Sequence, residues 1–125
     1  MSSNISYKGT RWFKCDLHMH TTASLCFQDR EVTAQQWVDR AIEQGLNCVA
    51  VTDHNTGLGI DEIKAAAVGK PLIVFPGVEI TCDTSKVHLL VLFDTDKGSI
   101  EVGDFLVKCN VDRQMFGEQN ANTIK

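Results

Sequence analysis

Short apolar runs alternate along the chain with stretches whose apolar side chains recur at helical spacing. Residues 13–18, 47–52, 72–81 and 87–93 carry the runs and predict β-strands. The second run, NCVAVT, and the fourth, VHLLVLF, are nearly continuous in apolar side chains, as in strands covered on both faces of a parallel sheet. Between the first two runs the sequence predicts a strong helix. Thr33 is its N-cap, Gln36 completes a capping box, and Gly45 sits just past its end. Its apolar stripe is Ala34, Trp37, Val38, Ala41 and Ile42, spaced i, i+3, i+4, i+7, i+8. A second helix over 61–68 stops at Gly69 and Pro71, and a third over 100–109 turns Phe105, Leu106 and Cys109 inward.

This order, β-α-β-α-β-β-α, implies a parallel α/β sheet or part of a barrel. The link at 81–86 is too short for a helical crossover. Either a short loop joins the last two strands or they pair differently. Beyond residue 110 the tail is polar and weakly patterned.

Composition narrows the class. At 125 residues, 43% hydrophobic and 22% charged, the chain is one soluble globular domain at most, long enough for a core. A net charge of −4 gives no electrostatic reason to expect sequence-independent nucleic-acid binding. A nucleotide or phosphorylated small molecule stays within reach, because bound metal ions would supply positive charge locally. The N-terminal segment has no apolar stretch suited to a signal peptide or a membrane span. Five cysteines, with no C-x-x-C pair, argue against a disulfide framework or zinc ribbon and for a reducing cytoplasm. Most of them read as inert core fillers, as Trp12 and Trp37 read as core aromatics.

Candidate chemistry enters with the histidines. There are four, and each lies in or just after a predicted strand: His18 and His20 in DLHMH, His54 in TDHN, and His88 at the start of the fourth run. Glu79 joins them near the end of the third, in PGVEIT. Ligand sites of α/β sheets and barrels collect where strands end, so separate segments deliver imidazoles and a carboxylate to one rim. His88 fits less cleanly, because it opens its strand. Residues i and i+2 of a strand share a face, which lets His18 and His20 address one site. A carboxylate such as Glu79 can bridge two cations, and several imidazoles favour Zn, Mn or Fe over Ca or Mg. Asp16 and Asp53 are candidates to orient imidazoles by accepting a ring N–H, a role that needs a bend in the backbone. Both are also ordinary turn residues, and Cys26 stands between an inert thiol and a ligand.

DLHMHTTAS, AVTDHN, FPGVEIT and HLLVLF resemble, in order, the first four motifs of the PHP (polymerase and histidinol phosphatase) family, over about residues 14–93. They are also similar to PHP modules at the N-terminus of larger ATPase-containing proteins. The resemblance implies a distorted seven-stranded β/α barrel with two or three divalent metal ions. His18 and His20 match the first-motif ligands, His54 the second, Glu79 the bridging carboxylate and His88 the fourth-motif histidine. Family members place an Asp or His where this chain has Cys26, so either a thiolate substitutes or that metal is lost. The family pattern closes with a later Cys or His and an Asp-x-His pair, whereas no histidine follows His88 and Asp112 precedes Arg113.

A full barrel needs on the order of 200 to 250 residues. The expectation is therefore an α/β fold forming about half a PHP-type barrel, mostly parallel strands with flanking helices. Residues 1–11 are then an extension, 12–110 the partial domain and 111–125 a truncated tail. The missing C-terminal half or an ATPase domain would be its partner. A half-barrel also leaves its fourth strand as an open edge that invites association.

The function this implies is metal-dependent hydrolysis of a phosphoester, with divalent ions polarising the phosphoryl group and acidifying a water. Asp53 would assist proton transfer if it faces the site. Two alternatives remain: a metal-stabilised structural or regulatory module without turnover, and an amidohydrolase-type metal hydrolase, whose barrel also opens on H-x-H. The TDHN and PGVEIT segments fit the PHP pattern better.

Overall fold

Which strand lies at the centre follows from side chains with no polar atoms. Val49, Ala50 and Val51 are wholly buried, and the strand they form has a neighbour on each side. A computed structural model describes residues 9–81, 87–111 and 117 of the chain. Outside the described residues lie Cys82, most of the link expected at 81–86, the Asp112–Arg113 pair, and the expected N-terminal extension and tail apart from residues 9–11, Val111 and Gly117. The elements are β1 (Cys15–Met19), α1 (Ala34–Glu43), β2 (Cys48–Val51), α2 (Ile60–Ala67), β3 (Ile73–Thr81), β4 (His88–Leu92) and α3 (Ser99–Lys108). The strands are ordered β1-β2-β3-β4 in one sheet, which curls into a half-barrel flanked by helices.

The first two pairings are parallel and the last is antiparallel. Of the two routes open from sequence, the last strands pair differently, and an antiparallel pair needs no crossover. The expectation that the apolar fourth run is covered on both faces does not hold. β4 lies at the edge of the sheet, and Leu89, Leu90 and Leu92 are 45%, 43% and 41% exposed.

The core sits where α1, α2 and α3 cover the sheet. Trp37, Val38 and Ala41 of α1 and Ile60, Ile63 and Ala67 of α2 pack with Val49, Val51, Val74, Val78 and Ile80. Full burial of each large aliphatic side chain stabilises by roughly 1.5–3 kcal/mol before conformational entropy is set against it. The capping box of α1 forms as read: Gln36 N–H donates to Thr33 Oγ1 at 3.2 Å, and Thr33 N–H donates to Gln36 Oε1 at 3.0 Å. In α3 the buried residues are Val102 and Leu106, with Phe105 and Cys109 packed at the margin.

Two readings of single residues need correction. Trp12 is 96% exposed, since it precedes β1 and none of the described elements covers it, whereas Trp37 is buried. Among the described cysteines only Cys48 is a buried core filler; Cys15 and Cys26 are exposed and Cys109 is half-buried. No helix among the described residues is long and apolar enough to cross a membrane.

Candidate metal centre

Each ring reaches the rim by a different local device. From Asp16 to Met19, β1 advances three residues while β2 advances two, from Val49 to Val51. The extra residue is a bulge, which kinks a strand and re-aims its side chains. Asp16 Oδ1 accepts the backbone N–H of His18 within it, at 3.1 Å. The expected bend is there, but Asp16 contacts backbone and not an imidazole. His20 follows β1, and its carbonyl accepts the Trp37 indole N–H at 2.9 Å. His54 follows β2 and bridges to Glu79 in parallel. Glu79 N–H donates to the Asp53 carbonyl and Asn55 N–H to the Glu79 carbonyl, both at 3.0 Å. The antiparallel pairing of β3 and β4 explains His88. Its register partner is Thr81, so the start of β4 lies beside the end of β3, on the same rim.

These devices gather all four histidines around one carboxylate. Glu79 Oε2 lies 2.9 Å from His18 Nε2, 3.2 Å from His20 Nε2 and 3.5 Å from His54 Nδ1, while Oε1 lies 2.9 Å from His88 Nδ1. The His20 and His54 rings stack with centroids 4.5 Å apart. Glu79 and His54 are buried, and the His18 side chain is half exposed, so the cluster opens to solvent on that side.

Burial pushes His54 toward its neutral form; Glu79 opposes this, and the neighbouring His20 and His88 rings reinforce it. For Glu79, burial disfavours the carboxylate. The hydrogen bond from His18 and the surrounding imidazoles outweigh it and hold the carboxyl below its usual range.

The donor set fits divalent cations. His54 Nδ1 is buried, with no hydrogen-bond partner among the described residues, and is aimed at Glu79. Three ring nitrogens crowd Oε2, an oxygen that offers about two acceptor sites. A shared cation resolves both conditions. Among the described residues three groups have ligand atoms within 4.8 Å of one another: His18, His20 and Glu79; His54, Glu79 and His88; and His20, Cys26 and His54.

Among the described residues Asp53 makes no hydrogen bond to a ring of this cluster. It is wholly buried, and its oxygens accept the Thr21 N–H at 2.6 Å, the Thr21 hydroxyl at 2.6 Å and the Ser24 hydroxyl at 2.7 Å. Its nearest ring nitrogen in the cluster is His20 Nδ1, 4.0 Å away. The sequence reading passed over Thr21, Ser24, Gly59 and Gly117. The run of hydroxyls in HTTAS, directly after a candidate ligand, was the available signal for Thr21 and Ser24. A Cβ on Gly59 would stand 2.3 Å from Thr21 Oγ1. Gly117, in the expected tail, is buried; its N–H donates to the His54 carbonyl at 2.8 Å and its carbonyl accepts Leu25 N–H at 2.9 Å.

A half-barrel whose strand ends converge histidines on a glutamate is the arrangement of a PHP domain, and the chain belongs to that family, whose model matches residues 16–115. Among characterised relatives it is similar to the 5'-3' exoribonuclease of Haemophilus influenzae, 33% identical over 117 residues, 78% of this chain and 41% of that protein. It is likewise similar to the 5'-3' exoribonuclease Rnm of Salmonella typhimurium, 34% identical over 116 residues, 88% of this chain and 37% of that protein. The chain thus spans about two fifths of the length of these relatives. Among solved structures it resembles a putative metal-dependent phosphoesterase from Bifidobacterium adolescentis, with TM-score 0.52 and 27% identity over 78% of this chain and 33% of that one. An amidohydrolase from Chromobacterium violaceum is similar as well, with TM-score 0.53 and 27% identity over 77% of this chain and 33% of that one.

Proposed function

We propose that the chain supplies the metal-holding half of a PHP-type phosphoesterase acting on a phosphodiester or phosphomonoester, with RNA as the substrate class its relatives' names favour. The observation that carries this reading is Glu79, set among four imidazoles with the orphaned Nδ1 of His54 beside it. His18, His20, His54, Glu79 and His88 would hold the ions, with Glu79 shared between an Oε2 group and an Oε1 group. Cys26 would serve the His20 and His54 side as a thiolate. Nitrogen and sulfur donors beside one carboxylate suit Zn, Mn or Fe.

Bound ions would polarise the phosphoryl group and activate a water. The chain's own residues do the rest. Buried His54 and Glu79 hold fixed positions on a rigid sheet end, and half-exposed His18 leaves the face through which a phosphate would enter. Asp16 would set His18 by fixing the bulge, and Asp53 would position its neighbours instead of moving protons. The net charge of −4 gave no hint of a nucleic-acid substrate. Under this reading attraction at the scissile phosphate comes from cations and not from a basic surface.

The domain reading, a partial PHP unit at 12–110 with an extension before it and a tail after it, belongs to the same proposal, as does a partner that completes the barrel. The test is hydrolysis of aryl phosphate mono- and diesters and of a short 5'-phosphorylated RNA, with added Mn or Zn, by this chain and by a version extended to its relatives' length. Metal-dependent turnover by the extended version is expected. If neither version turns over any of the three substrates, the phosphoesterase reading falls. A metal-dependent rise in melting temperature without turnover would then leave the structural-module alternative.

A further inference from the structure

We propose that Cys15 and Cys48 form a peroxide-reactive dithiol, which closes to a disulfide and fastens β1 to β2 at the end of the sheet away from the histidines. The proposal goes beyond the metal-holding reading and stands whether or not the chain binds cations.

Cys15 opens β1 and Cys48 opens β2, and the two are register partners in the parallel pairing. Register partners put their side chains on one face of a sheet. Adjacent strands run about 4.8 Å apart, inside the roughly 4.4–6.8 Å between Cα atoms that a disulfide spans. The backbone around the pair is pinned. Lys14 N–H donates to Asn47 Oδ1 and Asn47 N–H to the Lys14 carbonyl, both at 2.8 Å, and Cys48 N–H shares that carbonyl at 3.3 Å. The fold therefore holds the two thiols side by side. Cys26 and Cys109 have other surroundings: Cys26 groups with His20 and His54, and Cys109 packs at the margin of the core after α3.

The two thiols differ in a way that assigns their roles. Cys15 is exposed and Cys48 is buried. Burial, and then the Cys15 thiol beside it, push Cys48 above the usual thiol range, so Cys48 stays protonated near neutrality. Cys15, whose S–H donates to the Phe13 carbonyl at 3.8 Å, is the sulfur that meets an oxidant from solvent.

As a thiolate, Cys15 attacks hydrogen peroxide. An S–O bond forms, the O–O bond breaks, and hydroxide leaves and takes up a proton as water. The sulfur, oxidised by two electrons, is then a sulfenic acid. Cys48 gives up its proton and attacks that sulfur; the S–S bond forms, the S–O bond breaks and a second water leaves. Two thiols and one peroxide become one disulfide and two waters. Because Cys15 is exposed, a thiol reductant reaches the bond and reverses it. Among the described strands β1 has a neighbour on one side only, and it carries His18, with His20 just past its end. The bond thus ties down an edge strand at its start.

The experiment treats the 125-residue chain with hydrogen peroxide under a metal chelator, blocks the remaining thiols with N-ethylmaleimide and maps peptides by mass spectrometry. Trypsin leaves Cys15 and Cys26 on one peptide, so fragment ions assign the linked sulfur. A Cys15–Cys48 cross-link is expected, with loss of two of the five free thiols, reversal by dithiothreitol and slower amide hydrogen exchange in β1. Cys48→Ser should leave Cys15 as a sulfenic acid that dimedone captures, whereas Cys15→Ser should leave Cys48 unreacted. Linkage of Cys15 to another cysteine or to a second chain overturns the proposal, as does a treated chain in which Cys15 and Cys48 both survive as thiols. So does an equal yield of the bond in urea, which would show that the fold does not select the pair. A bond that forms without slowing exchange in β1 overturns the fastening. These arms read the unaltered chain, so they decide even where a variant fails to fold.

Discussion

At the scale of single residues, the space around Asp53 is as specific as the ligands. Gly59 has φ −80°, a conformation open to any residue, so alanine there meets no backbone strain. The obstacle is steric, because its Cβ would lie 2.3 Å from Thr21 Oγ1 and 2.9 Å from Asp53 Oδ2. Gly59→Ala should destabilise the chain by about 1–3 kcal/mol through overpacking and weaken Zn binding by displacing Asp53. Gly103 offers the contrast, a helical glycine with nothing within 4 Å of its added Cβ. Gly103→Ala should leave metal affinity alone and stabilise by about 0.5–1 kcal/mol. Urea unfolding with metal titration reads both. Equal effects at the two sites would show that packing around Asp53 does not matter.

At the scale of elements, α3 is capped from outside itself. Its N-cap, Gly98, has no side chain, so Asp61 of α2 accepts the backbone N–H of Ser99 at 3.0 Å and its hydroxyl as well. Glu101 closes the other half by accepting Gly98 N–H at 2.8 Å. Those two bonds from Ser99, hydroxyl first, hold the Asp61 carboxyl below its ordinary value. A depressed carboxyl binds fewer protons folded than unfolded. Its stabilisation is complete above the ordinary aspartate pKa, about 4, and fades as pH falls through the folded value. Asp61 is exposed, so solvent screening keeps the effect of Asp61→Asn to about 1 kcal/mol near neutrality. The difference from the unaltered chain should shrink in acid. Denaturation across pH checks this, and a gap that widened in acid would reverse the sign.

Elements were also where the sequence was easiest to read. Every strand and helix is present because period and caps are local properties, as Thr33 with Gln36 illustrates. The convergence of His18, His20, His54 and Glu79 was legible too, since strand ends in α/β folds share a rim. The direction of β4 was not, because a reversal in a short link leaves little trace in apolar content. That missing direction is also why His88 looked misplaced. Ser24 was hidden for another reason: its partners are 29 and 30 residues away in sequence, at Asp53 and His54, and only the folded loops bring them together.

At the scale of the whole molecule, β4 leaves one flank of the sheet unpaired among the described residues, with three leucines over 40% exposed. Edges of this kind template association, and natural proteins blunt them with inward-pointing charge. The chain should therefore sediment as dimers or larger species at micromolar concentration. Leu90 is the register partner of Glu79 and shares its face of the sheet. Leu90→Lys should shift the population toward monomer, because a charge would have to be desolvated in any new pairing. A chain that sediments as a single monomeric species without the substitution would remove the edge as a source of contact.

Gly117 gives the molecule a second, smaller fastening. At φ +83°, with the Ala23 carbonyl 2.6 Å from where a Cβ would sit, no other residue type replaces it without strain. It ties Leu25, one residue past the serine, to the main chain of His54. A single glycine thus holds the loop after His20 against the segment that carries His54. Loosening this clasp would slacken the hold on cations.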